Sequence, residues 1–124
     1  GNIDLENDTI RVVLLNDWTP NIDTDDNWED ISVNEVSLAN YTAGGQSLAG
    51  KTVTQDNTNN RGVFDCNDPS WPNLGAGSVN RGAIVKWTGV PSTSTVIGNI
   101  EIATNPNGAN YNLTVNALGF LHFT

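Results

Sequence analysis

The stretch NIDTDDNWED, positions 21–30, carries five acids in ten residues. Asp23, Asp25 and Asn27 fall at i, i+2 and i+4, the spacing by which calcium loops present oxygens. An EF-hand loop also needs glycine at its sixth position and a bidentate glutamate at its twelfth. Counted from Asp23, those places hold Trp28 and Asn34, and Glu35 comes one residue late. The sharp turn and the closing carboxylate are both missing. A looser calcium site built by Asp23, Asp25 and Asp26 is the weaker alternative; a solvated acidic loop without a cofactor is the expectation.

Other chemistry-bearing residues give less. Paired-carboxylate hydrolysis needs two acids at fixed separation in a cleft, one with a raised pKa, and among fourteen acids some pair can always be nominated. A hydrolase resting on the Asp23–Asp30 cluster is therefore the weakest functional reading. In FDCND, Asp65 and Asp68 flank Cys66 and would raise its thiol pKa, which blunts it as a nucleophile. The single histidine, His122, lies far away in sequence. One His and one Cys make no structural zinc site without acidic help. Glycine-rich TAGGQSLAG lacks a GK[ST] ending and precedes a strand, so it is no phosphate cradle. Trp18, Trp28, Trp71 and Trp87 fit a sugar-stacking platform, a protein-binding hot spot or, more simply, plugs in core and loops.

The elements that would position these residues read as strands. TIRVVLLN, 9–16, is apolar on both faces from Val12 to Leu15, as a strand between two layers would be. WEDISVNEVSLANY suits a short helix or an irregular strand, and the irregular form is expected. TAGGQ at 42–46 is a glycine turn. SLAGKTVTQD is a strand with Gly50 as a bulge or close-approach point, forming a hairpin with RGVFDC across NTNN. NDPSWPNLGAG is a loop. SVNRGAIVKW sets Ala83, Val85 and Trp87 against Ile84 and Lys86. VIGNIEIA puts Ile100 and Ile102 opposite Glu101, and YNLTVN points Tyr111, Leu113 and Val115 inward. LGFLHF closes the chain. Short strands with regular turn signals predict an all-β fold, a single-domain antiparallel β-sandwich of jelly-roll or Ig-like type with little helix.

Composition is compatible with that. The chain has 124 residues, enough for one domain to bury roughly two-thirds of its unfolded surface without staples. A hydrophobic share of 37% together with 12 glycines is ordinary for a globular domain. The formal charge of -9 repels nucleic acid and anionic membranes and disfavours both as direct partners. Carbohydrate, a divalent ion or a neutral or cationic protein surface stay open. A lone cysteine without a pairing partner suits a reducing compartment. No apolar run has the length of a membrane span. GNIDLEND has neither the basic region nor the hydrophobic stretch of a signal peptide, and Gly1 suggests a start beyond an initiator methionine.

Several blocks in order resemble a family of small tailed-bacteriophage virion proteins of the head-decoration or appendage type. They are an early strand over Arg11 to Leu14, the aromatic-Thr-x-Gly-Gly turn from Tyr41 to Gly45, and Leu-Ala-Gly at Leu48 to Gly50. The Asp-rich segment from Phe64 to Trp71 and the strand from Ala83 to Gly89 follow. Cys66 stands where the pattern has a small residue, which fits a packing role. The resemblance implies a non-enzymatic structural protein, made in a bacterial cytoplasm and localised to the virion. It implies a capsid decoration or cement role on the outside of the head, with the major capsid protein or other virion proteins as partners and a homo-oligomer allowed. It transfers no active-site residue. The alternative is a carbohydrate-binding module of a phage fibre or tail appendage. On this reading residues 1–8 form an extended N-terminal arm, residues 9–124 the β-sandwich domain, and the docking contacts are Asn2, Ile3, Asp4, Leu5 and Trp71, since a terminus that orders on docking is a natural contact.

Overall fold

The structure, a computed structural model, describes residues 3–21, 23–113 and 121–123. Its elements in chain order are β1 (Ile10–Leu15), α1 (Trp28–Ile31), β2 (Gln46–Ser47), β3 (Thr52–Asp56), β4 (Arg61–Asp65), β5 (Ser70–Trp71), β6 (Val79–Lys86), β7 (Thr95–Thr104), β8 (Tyr111–Asn112) and β9 (Leu121–Phe123). The fold is all-β, and the strands described pair antiparallel. One sheet has the order β2-β1-β6-β7, a second β3-β4-β9, and β5 pairs with β8. The registers Gly62 with Phe123 and Ser70 with Asn112 show the same two chain segments meeting at both places.

β1 explains the layering. Ile10, Val12 and Leu14 enter one core cluster with Phe64, Cys66, Trp71, Leu74, Ile84, Ile102 and Leu113, residues drawn from both sheets and the loops between them. Val13 and Leu15 point the other way, into a cluster with Trp18, Trp28, Ile31, Ala83 and Val85. A side chain such as Val12 or Leu14, wholly removed from water, contributes about 1.5–3 kcal/mol. A strand with apolar residues on both faces therefore needs a cover on each. The second cover is the excursion from 16 to 36. It leaves β1 at Leu15 and returns beside it, where Asn16 N donates to Asn34 O (2.9 Å) and Val36 N to Leu14 O (3.0 Å).

The segment expected to be irregular contains a short helix after all. α1 is followed by a single 3-10 turn, Ser32–Asn34. The Asp30 carboxylate reaches back to the Asn27 N–H (3.0 Å) and fixes the first turn. Ile31 is buried whereas Val33 is 86% exposed, so the turn has a single apolar side. SLAGKTVTQD is not one strand: it breaks between β2 and β3. Gly50 lies there at φ +63°, and a Cβ on it would come within 2.6 Å of the Asn67 side chain, the close approach expected of it. The TAGGQ turn is pinned by a small polar network. Tyr41 Oη donates to Glu35 Oε2 (2.7 Å), Gly44 N donates to the same oxygen (2.8 Å), and Leu14 N donates to Tyr41 Oη (3.1 Å). Burial, foremost, pushes the Tyr41 phenol well above its usual range. Gly45 cannot be replaced freely: at φ +69° a Cβ would sit 2.0 Å from Val12 O.

The β3–β4 hairpin forms as expected, with Asp56 capping its turn through Thr58 N (3.1 Å) and pairing with Arg61 Nε (3.2 Å). In YNLTVN, Leu113 is buried and Tyr111 packs on the first cluster; Thr114, Val115 and Asn116 lie outside the described residues.

Candidate functional site

Two acids of the opening stretch, Asp25 and Asp30, act as hydrogen-bond acceptors for their own loop. Asp25 Oδ2 accepts from Trp18 Nε1 (3.0 Å) and from Asn21 N (2.8 Å). Asn21 Oδ1 takes Asp23 N (3.0 Å), and Asp30 Oδ2 takes Asp26 N (3.2 Å). These bonds close the loop and aim the Trp18 indole at the second face of the large sheet. Among the described residues no three His, Cys, Asp or Glu side chains are grouped to hold a metal ion. Asp23, Asp25 and Asp26 are not brought to a common centre.

Cys66 is buried in the first cluster as a free thiol. Burial, then the charges of Asp65 and Asp68, push its pKa up to about 11. It is a packing residue and a poor nucleophile at neutral pH. His122 stands in β9 opposite Val63.

The tryptophans are not a platform. Trp71, expected at a docking surface, is only 2% exposed and lies in the first cluster, stacked on Tyr111 at 5.9 Å between ring centroids. That expectation is corrected: an indole placed among Phe64, Leu74 and Leu113 plugs the core and offers almost no surface for docking. Trp18 and Trp28 are buried too. Trp87 packs on the second cluster, with the Arg11 guanidinium 4.7 Å from its ring centre and Trp28 at 6.1 Å. Sugar stacking needs an open aromatic face, and these four give it no support.

The remaining contact candidates do come together. Asn2 lies outside the described residues. Ile3 (39% exposed), Asp4 and Leu5 line a broad, shallow depression of about 650 Å³ with Glu6 and Val53. The arm itself is a correction in shape, because residues 4–8 turn back rather than extend. Asp8 N donates to Asp4 O (2.8 Å), and Asp4 N donates to Asp8 Oδ2 (2.8 Å). Asp4 Oδ1 accepts from Asn7 N (3.1 Å), and Asp4 Oδ2 accepts from Asn7 Nδ2 (2.9 Å). The sequence reason is the Asp-rich DLEND, whose short carboxylates bond nearby backbone N–H groups and stabilise turns.

Three clips fasten this turn to the domain. Asp8 Oδ2 pairs with Lys86 Nζ (3.2 Å), Lys51 Nζ donates to Asp8 O, and Glu6 Oε1 accepts from Val53 N (2.8 Å). The last caps one backbone donor of β3, an outer strand of its sheet. The Asn7 side-chain amide, foremost, holds Asp4 below the usual carboxylate range; the Asp4 N–H, and then Lys86, does the same for Asp8. Sequence reasoning missed Glu6 and Val53. Val53 did carry a signal as the one apolar residue in TVTQD, but nothing in the sequence linked position 6 to position 53.

No known protein family matches the chain, and no curated protein matches it either.

Proposed function

We propose that this chain is a non-enzymatic structural protein of a tailed-phage particle, a decoration or cement protein that docks on the outside of the head against the major capsid protein or another virion protein. Two things support the reading. One is the ordered series of sequence blocks from Arg11 to Gly89. The other, the observation that carries it, is the surface formed by Ile3, Leu5 and Val53 with Asp4 and Glu6 at its rim. Apolar side chains inside a polar rim are the usual anatomy of a protein contact. Completing the burial of Ile3 and Val53 contributes about 1 kcal/mol each. That is a modest gain per copy, and it favours a partner presenting many identical sites or a symmetric oligomer of this chain.

The blocks themselves fall on structural positions. Tyr41, Gly44 and Gly45 pin a turn to β1, and Phe64 and Trp71 fill the core. Such residues preserve a scaffold, which suits a protein whose work is to present a surface. The test is to purify particles and measure copy number, then repeat with Ile3→Ser combined with Val53→Ser. Wild-type protein on the particle, and a large loss of occupancy in the double variant with folding unchanged, are expected. Absence from purified particles, or failure to bind assembled shells, overturns the proposal.

A further inference from the structure

A second surface lies on the outer edge of β7. β7 is the last strand of the large sheet and is ten residues long. Only its start is covered. There the acidic loop adds a few residues of strand: Trp28 N donates to Ser94 O (2.8 Å), Val96 N donates to Asp26 O (2.9 Å), and Asn27 bridges Thr95. Before Asp26 the loop peels away into the Asn21–Asp25 turn, where Asp25 N donates to Asn21 O (2.9 Å). The divergence opens a cleft of about 430 Å³, with Trp18, Asp25 and Asp26 on one wall and Val96, Ile97 and Asn99 on the other. From Ile97 to Ala103 the outer edge of β7 meets no backbone partner among the described residues. Ile97 is the extra residue of a bulge, since Val85 faces Val96 while Ile84 faces Gly98.

We infer that this cleft accepts an extended segment of a partner protein, added as a further strand along Ile97–Glu101 where the Asp26–Trp28 ladder stops, and that the segment is basic. Unpaired N–H and C=O groups on a sheet edge are a template for strand addition. The bulge at Ile97 falls on the wall of the cleft, and bulges are common beside binding sites. Charge selects the occupant. The exposed Asp26 stands on the wall, and the exposed Glu101 is on the edge strand itself. Arg81, the cation beside this stretch, is directed to Asn99 Oδ1 (3.2 Å). A second copy of this chain would bring its own charge of -9 and its own Glu101, so self-pairing meets like-charge repulsion. A lysine- or arginine-bearing strand meets attraction. This inference stands independently of the virion reading.

The test uses the full chain, labelled with ¹⁵N. It is titrated with a capped heptapeptide of alternating lysine and valine and with the glutamate–valine counterpart. The lysine peptide should shift and protect amides between Val96 and Glu101 and bind at least about tenfold tighter than the glutamate peptide, equivalent to 1.4 kcal/mol. Asp26→Asn should weaken the lysine peptide about threefold at low salt while leaving the fold intact. Asn99→Pro should block it by removing an edge N–H, because Asn99 faces Ala83, whose own backbone is turned toward β1; if that variant does not fold, Asp26→Asn and the salt dependence decide. Four results would overturn the inference: no perturbation by the lysine peptide at millimolar concentration, equal binding of both peptides, shifts mapping elsewhere, or no effect of Asp26→Asn. A peptide-free dimer protecting the same amides would overturn the choice of occupant. Particle occupancy reads the Ile3–Val53 face and this titration reads β7, so either can fail alone.

Discussion

Replacing Asp25 with alanine removes one oxygen that two donors share, the Trp18 indole at 3.0 Å and the Asn21 backbone at 2.8 Å. The indole belongs to a side chain only 4% exposed, so its N–H loses its partner where water reaches it poorly. A buried donor left without an acceptor costs about 1–3 kcal/mol. The Asn21 N–H is exposed and recovers a bond to water, which keeps the total near 2 kcal/mol. With an unfolding entropy near 2.1 cal/mol/K per residue, a domain of this length should lose about 8 °C in Tm. Asp25→Asn keeps an acceptor oxygen and should lose less than about 1 kcal/mol. The assay is urea unfolding followed by tryptophan fluorescence, with thermal melts in calcium and in EDTA. If Asp25 were a calcium ligand, the Asn variant would be nearly as damaged as the Ala variant and EDTA would lower the wild-type melt. Equal damage in both variants, or an alanine variant within 0.5 kcal/mol of wild type, refutes the assignment of this carboxylate to loop closure.

Trp71→Ala should cost about 3–5 kcal/mol in urea unfolding, because the ring fills the first cluster; Val53→Ser, on an exposed strand, should stay within about 0.5 kcal/mol. The N-terminal turn should be acid-labile. Asp4 and Asp8 have depressed folded-state pKa values, so the unfolded chain binds more protons between the folded and ordinary values. The stabilisation is therefore complete above about pH 4 and fades as pH falls through the folded values, read as falling hydrogen-exchange protection at the Asp4 and Val53 amides relative to the unfolded chain at the same pH. Cys66, with its thiol raised to about 11, should label with a thiol reagent at pH 8 far more slowly in buffer than in urea; equal rates would place the sulfur at the surface.

What the sequence made legible follows the range of the forces involved. The two-faced apolar run of β1, the alternation in β6 and the glycine turn at 42–46 are local patterns, and the structure repeats them. The short helix was missed because four α-residues carry no sustained period; what fixes it is Asp30 reaching back to the Asp26 and Asn27 N–H groups and the burial of Trp28 and Ile31. The break between β2 and β3 was missed because the close approach of Asn67 to Gly50 is a tertiary event. Trp71 was read both as an apolar plug and as a docking contact; the first holds, and the second failed for a similar reason. Its neighbours in sequence are polar and prolyl, and only the pairing of Ser70–Trp71 with Tyr111–Asn112 brings it under the sheets.

The acidic loop joins these points into one argument. A strand buried on both faces requires a second cover, and the cover has to leave β1 and return to it within the excursion from 16 to 36. The apolar parts of that excursion are few: Trp18, Trp28 and Ile31 supply the packing. Its backbone must otherwise be satisfied locally, and Asp25, Asp30 and Asn21 do this with side-chain oxygens. Acids used in this way turn the chain tightly, which is why the loop touches β7 only from Asp26 to Trp28 and then leaves the edge. The cleft, its negative wall and the uncovered strand are thus consequences of how the second face is closed.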